Sequence, residues 1–156
     1  MNNNDVLRKI RYIFDYSDDK MINLFADGSL IVDRVKISEW LKKDDDEEFV
    51  VIKDVELAAF LNGFIIEKRG KREGEQPLPE KRLNNNIIMR KLKIAFNMKD
   101  SDMLACFDLV DFIISKHELS AFFRKPTQKQ YRICKDQFLR NFMLGMQFKY
   151  RAKEEE

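Results

Sequence analysis

The sequence predicts an all-α protein, a tandem duplication of a four-helix unit, and three observations carry that prediction. The first is composition: five Gly and three Pro stand against abundant Leu, Ile, Phe, Met, Lys and Glu, a texture of helices rather than turn-dense sheets. The second is self-similarity at one constant offset of 82 residues, without gaps, which lays residues 2–71 on 84–153. The third is apolar spacing. Val6, Leu7, Ile10, Ile13 and Phe14 recur at helical intervals and leave Arg8, Arg11 and Asp15 on the opposite face.

The register is detailed. Asn2, Asn3 and Asn4 fall on Asn84, Asn85 and Asn86, and Arg8 falls on Arg90. Phe14, Asp18, Met21 and Phe25 fall on Phe96, Asp100, Met103 and Phe107; Ser38, Leu57, Phe60 and Gly63 fall on Ser120, Leu139, Phe142 and Gly145.

Taken in order, the first helix is expected to be capped by Asn3 or Asn4. The second starts at Asp18, whose carboxylate can cap it, and stops at Gly28; its copy starts at Asp100. The third ends in residues 37–43, matched by 119–125. The fourth runs from Asp54 to about Arg69 and is apolar nearly all round, which predicts a central helix. Gly63 and Gly145 sit inside it, where Gly costs roughly 1 kcal/mol relative to Ala. A helix crossing would explain them, and the two fourth helices are expected to cross near a pseudo-twofold axis.

The expected divisions are a first repeat over residues 1–71, a connector rich in charge, Gly and Pro over 72–83, a second repeat over 84–153 and an acidic tail at 154–156. A lone unit of this size buries only about 60% of its surface, so the two are expected to pack into one compact helical domain with pseudo-twofold symmetry.

Charged residues make up 36% and hydrophobic ones 44%. The N-terminal residues lack a signal-peptide core, and the longest apolar stretch, residues 57–66, is broken by Asn62 and Gly63 and reaches about half of the ~20 residues a membrane span needs. A cytoplasmic protein without a membrane partner is expected, with Cys106 and Cys134 as thiols.

The two cysteines have no metal spacing, and in the repeat register they replace Leu24 and Ile52, as core residues would. No metal and no cofactor is expected. The lone histidine, His117, replaces Val35 and is read as a helix-face residue. Asp18, Asp100, Asp54 and Asp136 recur between the copies, but capping alone explains them. With neither a nucleophile beside a base nor a phosphate-binding loop, the sequence predicts no enzyme.

Four segments, Phe60-Leu61-Asn62-Gly63, Glu67-Lys68-Arg69-Gly70, Asn84-Asn85-Asn86-Ile87 and Asp136-Gln137-Phe138-Leu139-Arg140, resemble the YehS-like bacterial proteins grouped as domain of unknown function 1456. The resemblance covers nearly the whole chain, including its two-unit layout. It implies a bacterial, cytoplasmic protein and supplies no functional residues to carry across.

What distinguishes the copies is charge: residues 1–71 carry a net −3 and residues 84–153 a net +8, which the whole-chain +2 conceals. One aligned loop is the focus. Asp44, Asp45, Asp46, Glu47 and Glu48 in the first copy become Pro126, Thr127, Gln128, Lys129 and Gln130 in the second. Arg124, Lys125, Lys129, Tyr131, Arg132 and Lys135 surround the latter with no acid among them, a pattern suited to phosphate contacts and base stacking. A helix-turn-helix with residues 38–43 as its reading helix meets a connection longer than the roughly 3 to 4 residues that motif uses. The first expectation is therefore a protein-binding or self-associating protein, its acidic loop a protein contact; the alternative is a nucleic-acid-binding regulator using the basic face of the second repeat.

Overall fold

The structure is a computed structural model that describes residues 1–151; the expected acidic tail at 154–156 lies outside them. The chain divides into two compact units, Met1–Leu83 and a second that begins at Asn84, so the connector at 72–83 belongs with the first. Among the described residues every regular element is helical. The first unit holds α1 (Asn3–Phe14), α2 (Asp18–Asp27), α3 (Arg34–Leu41) and α4 (Asp54–Arg69); the second holds α5 (Asn85–Ala95), α6 (Asp100–Asp108), α7 (Lys116–Ala121) and α8 (Asp136–Met146), which runs on into a π-helical turn, Gln147–Arg151.

The duplication reaches the backbone. Asp15 and Asn97, and Ser29 and Asp111, are register pairs, and all four adopt left-handed φ between 51° and 74° just past the first two helices of each unit. Short polar side chains tolerate that conformation, so these loops keep their course without glycine.

The three-asparagine segment explains itself residue by residue. Asn2 and Asn84, rather than the expected Asn3 or Asn4, cap α1 and α5, each accepting from a backbone N–H three residues on. Asn3 and Asn85 reach to the loop before the fourth helix, donating to Ile52 O and to Cys134 O. Asn4 and Asn86 are buried and clamp that loop at both ends: Asn4 Nδ2 donates to Trp40 O and Val50 O at 2.9 Å and its Oδ1 accepts from the Ile52 N–H, while Asn86 repeats the pattern with Phe122 O, Arg132 O and Cys134 N–H. A buried amide is retained because all these bonds are made.

Each core follows the apolar periodicity. In the first unit Leu7, Ile10, Met21, Leu24, Ile37, Leu57 and Phe60 are fully buried, with Phe25 set 5.2 Å from Trp40 and 5.0 Å from Phe60 between ring centres. The second unit rebuilds the contact as Phe107 on Phe142 at 5.7 Å. α4 is buried continuously from Leu57 to Phe64, the central position expected of it.

Gly63 and Gly145 each lie against the second helix of their own unit. A Cβ on Gly63 would stand 1.7 Å from Leu24 O, and one on Gly145 2.1 Å from Cys106 O, so that helix is a steric reason for each glycine. In the first unit the approach is reciprocal, since a Cβ on Gly28 would stand 1.7 Å from Ala59 O. Val110 and Asn141 occupy those two register positions in the second unit, so α6 and α8 meet this closely at one point only.

Candidate functional site

The loops that differ in charge, residues 42–53 and 124–135, are built on one frame. Beyond the asparagine clamp, both carry the same backbone bonds: Asp46 N–H to Lys43 O and Gln128 N–H to Lys125 O, Phe49 N–H to Asp46 O and Tyr131 N–H to Gln128 O, Val50 N–H to Glu39 O and Arg132 N–H to Ala121 O. Each pair lies in register, so on matching backbone the acids at 44–48 give way to neutral residues and Lys129, while Arg132 is added at the position of Val50.

In the first unit the acidic loop is partly self-neutralised. Asp44 lies 3.2 Å from Arg8 and Glu48 3.4 Å from Lys42, while Asp46 accepts from the Glu48 N–H at 2.8 Å. Asp45 and Glu47 are exposed and take part in no ion pair among the described residues.

The basic loop lacks such compensation. Lys125, Lys129, Arg132 and Lys135 are exposed and unpaired with any carboxylate among the described residues. Arg124 donates to the neutral Gln130 Oε1 at 3.0 Å. Of the aromatics, Tyr131 is half-buried, and Lys93 Nζ stands 4.4 Å from the centre of the half-buried Phe123 ring. The cations are thus gathered on one loop, while the stacking surface is smaller than the sequence pattern implied.

Beside the acidic loop lies a groove of about 580 Å³ between α1, α3 and the start of α2, lined by Arg8, Arg11, Tyr12, Asp18, Ser38 and Lys42 among others. Asp18 is the first residue of α2, and its cap is Ser17, whose Oγ accepts from the Lys20 N–H. Freed from capping, Asp18 pairs with Arg11 at 2.7 Å. Asp100 likewise pairs with Lys93 at 2.8 Å and accepts from Ser120 Oγ at 3.1 Å. The Lys93 ammonium, against the opposing effect of burial, holds the Asp100 carboxyl below the usual range.

Asp54 and Asp136 also follow the cap position. They accept from Asn3 and Asn85 at 2.7 and 2.8 Å, and Asp54 accepts from the Leu83 N–H as well. Capping was therefore the wrong account of all four aspartates. The signal that could have found the groove was the exact retention of Arg8, Asp18 and Ser38 as Arg90, Asp100 and Ser120, polar positions that a core alone does not require.

The remaining candidates are placed plainly. His117 is exposed on α7. Cys106 and Cys134 are buried, and burial pushes both thiols up, Cys134 to about 12. Among the described residues, no group of three or more His, Cys, Asp or Glu could hold a metal ion, and no helix is long and apolar enough to cross a membrane.

Compared with known proteins, the chain matches the family model described as a protein of unknown function (DUF1456) twice, over residues 3–70 and 85–152. It is 41% identical over 155 residues to the uncharacterized protein YehS of Escherichia coli (strain K12), covering 99% of both chains. No solved structure matches it. Two family matches that fall on the two structural units, with a relative aligned end to end, place this chain in the DUF1456 family.

Proposed function

We propose that this is a non-catalytic binding protein of the cytoplasm that works through protein–protein contacts, above all by self-association of its acidic loop with the basic loop of another copy. The observation that carries this reading is the shared frame: one clamp and one set of backbone bonds present five acids at residues 44–48 and, in the other unit, the exposed cations Lys125, Lys129, Arg132 and Lys135. Charge complementarity of this kind speeds encounter and fixes register.

A catalytic reading has little to work with. Ser120 and Asp100 are in contact, but a carboxylate held low by Lys93 is a weak base for a hydroxyl proton. Cys134, with its thiol near 12, supplies almost no thiolate at neutral pH.

Sedimentation equilibrium at low and high salt tests the proposal. Mass is expected to rise with protein concentration, to fall with salt, and to drop when Asp44, Asp45, Asp46, Glu47 and Glu48 are replaced by Asn and Gln. A mass fixed at one chain under all conditions refutes it.

The unpaired cations of the basic loop favour nucleic acid as the second reading. Fluorescence anisotropy with a labelled single strand then shows affinity that falls steeply with salt and collapses when Arg124, Lys125, Lys129 and Arg132 are neutralised. Binding that survives those substitutions rules the loop out.

A further inference from the structure

Arg8 and Lys42 at the root of the acidic loop correspond in register to Arg90 and Arg124 at the root of the basic one. Around the first pair stand three carboxylates: Asp5 at 2.7 Å and Asp44 at 3.2 Å from Arg8, and Glu48 at 3.4 Å from Lys42. At those three positions the second unit has Ile87, Pro126 and Gln130. The cation frame is kept and every acid on it is gone. Arg8 donates to Lys42 O at 2.7 Å and Arg90 to Phe123 O at 2.9 Å, so both arginines are still tied to the root of the loop. Arg90 is exposed where Arg8 is half-buried, and the buried Nε of Arg124 has no hydrogen-bond partner. A part-buried guanidinium with no counter-charge is unfavourable, and an anion bound beside it relieves the missing charge.

We infer that Arg90 and Arg124 form a carboxylate-binding site whose ligand is the acidic segment 44–48 of a second copy of this chain. The inference rests on the self-association reading and assigns its central contact. The first unit displays the chemistry: Asp and Glu carboxylates on this same frame, there supplied from within. Arginine in place of Lys42 adds a planar fork that can grip a carboxylate through two bonds. Within the segment, Asp45, Asp46 and Glu47 are the carboxylates that no internal cation occupies, and Asp46 accepts only from the Glu48 N–H. The contact joins unlike surfaces, so each copy offers one acidic and one basic half to its neighbours.

The test uses two full-length variants in sedimentation velocity. One carries Arg90→Gln and Arg124→Gln and keeps its acidic segment; the other carries Asp44→Asn, Asp45→Asn, Asp46→Asn, Glu47→Gln and Glu48→Gln and keeps its arginines. Each alone is expected to associate on the order of tenfold or more weakly than the unaltered protein, and an equal mixture is expected to form dimers that grow no further. The Arg90→Lys, Arg124→Lys protein, which keeps the charges, is expected to associate, and helical circular dichroism confirms that each variant is folded. Full association by the Arg90→Gln, Arg124→Gln protein, or a mixture that stays monomeric, overturns this site while leaving loop-mediated association standing. An unaltered protein that is monomeric throughout overturns both. A labelled oligonucleotide bound through Arg90 and Arg124 without any self-association shows that the site takes phosphate, and overturns the inference.

Discussion

Residues 42–53 and 124–135 follow the same backbone course between the third and fourth helices of their units, but one loop supplies counter-charges to its own cations and the other does not. The second helix crossing differs in the same spirit: α2 and α4 touch backbone to backbone at Gly28 and Gly63, while α6 and α8 do so only at Gly145. What the two copies keep is the frame, meaning the asparagine clamp, the left-handed loop positions and the crossing glycine. What they exchange is the charge displayed on it. A duplicated frame lets one copy change its surface without renegotiating its fold, because the clamp bonds are made to backbone atoms and do not depend on loop side chains.

The largest expected effects break the frame itself. Gly63→Ala drives a Cβ into Leu24 O and is expected to cost about 3 kcal/mol or more, with Gly145→Ala somewhat less because its contact is longer and its helix pair meets at a single point. Urea unfolding separates the two, since Trp40 is the chain's one tryptophan and its fluorescence follows the first unit. A Gly63→Ala loss below about 1 kcal/mol would sink the crossing argument.

Next in size, Asn4→Ala and Asn86→Ala each leave one buried carbonyl, one part-buried carbonyl and one buried N–H without their partner, at about 2–3 kcal/mol apiece. Hydrogen exchange is expected to quicken in residues 42–53 for one variant and 124–135 for the other. Exchange that quickens equally throughout the unit would mean the clamp holds no loop in particular.

The smallest effect sharpens the comparison between the aspartate pairs. Asp100→Asn is expected to cost about 0.5–1 kcal/mol. Because the bond to Lys93 holds the folded Asp100 carboxyl below its ordinary value, its contribution is complete above that ordinary value and is lost as pH falls through the folded one. Thermal melting of the unaltered and Asp100→Asn proteins should therefore differ at neutral pH and converge in acid. Curves that stay apart at low pH would show that Lys93 does not act through this charge.

Much of the fold was legible in one dimension. The offset of 82 residues fixed the layout, and the limits of the fourth helix, Asp54–Arg69, follow from its apolar run and its flanking Lys53 and Gly70. The candidate loops were legible too, because charge is a property of the residues themselves. The roles of the recurring aspartates were not. Asp18 looks like a cap from its position before an apolar stretch, but Ser17 is nearer the right geometry, and only the placement of α1 beside α2 brings Arg11 within reach. Asn4 was equally opaque, since its three partners lie 36 to 48 residues away.

The sequence by itself determined the duplicated helical architecture and the opposition of charge between the copies, because periodicity, capping and net charge are sums over local residues. Tertiary structure alone decided which groups each Gly, Asn and Asp meets, that Gly63 serves α2 and Asn4 clamps a distant loop, and that Arg8 has acids beside it while Arg90 has none. Those facts depend on distances of a few ångströms between residues far apart in the chain, which spacing along the sequence does not encode.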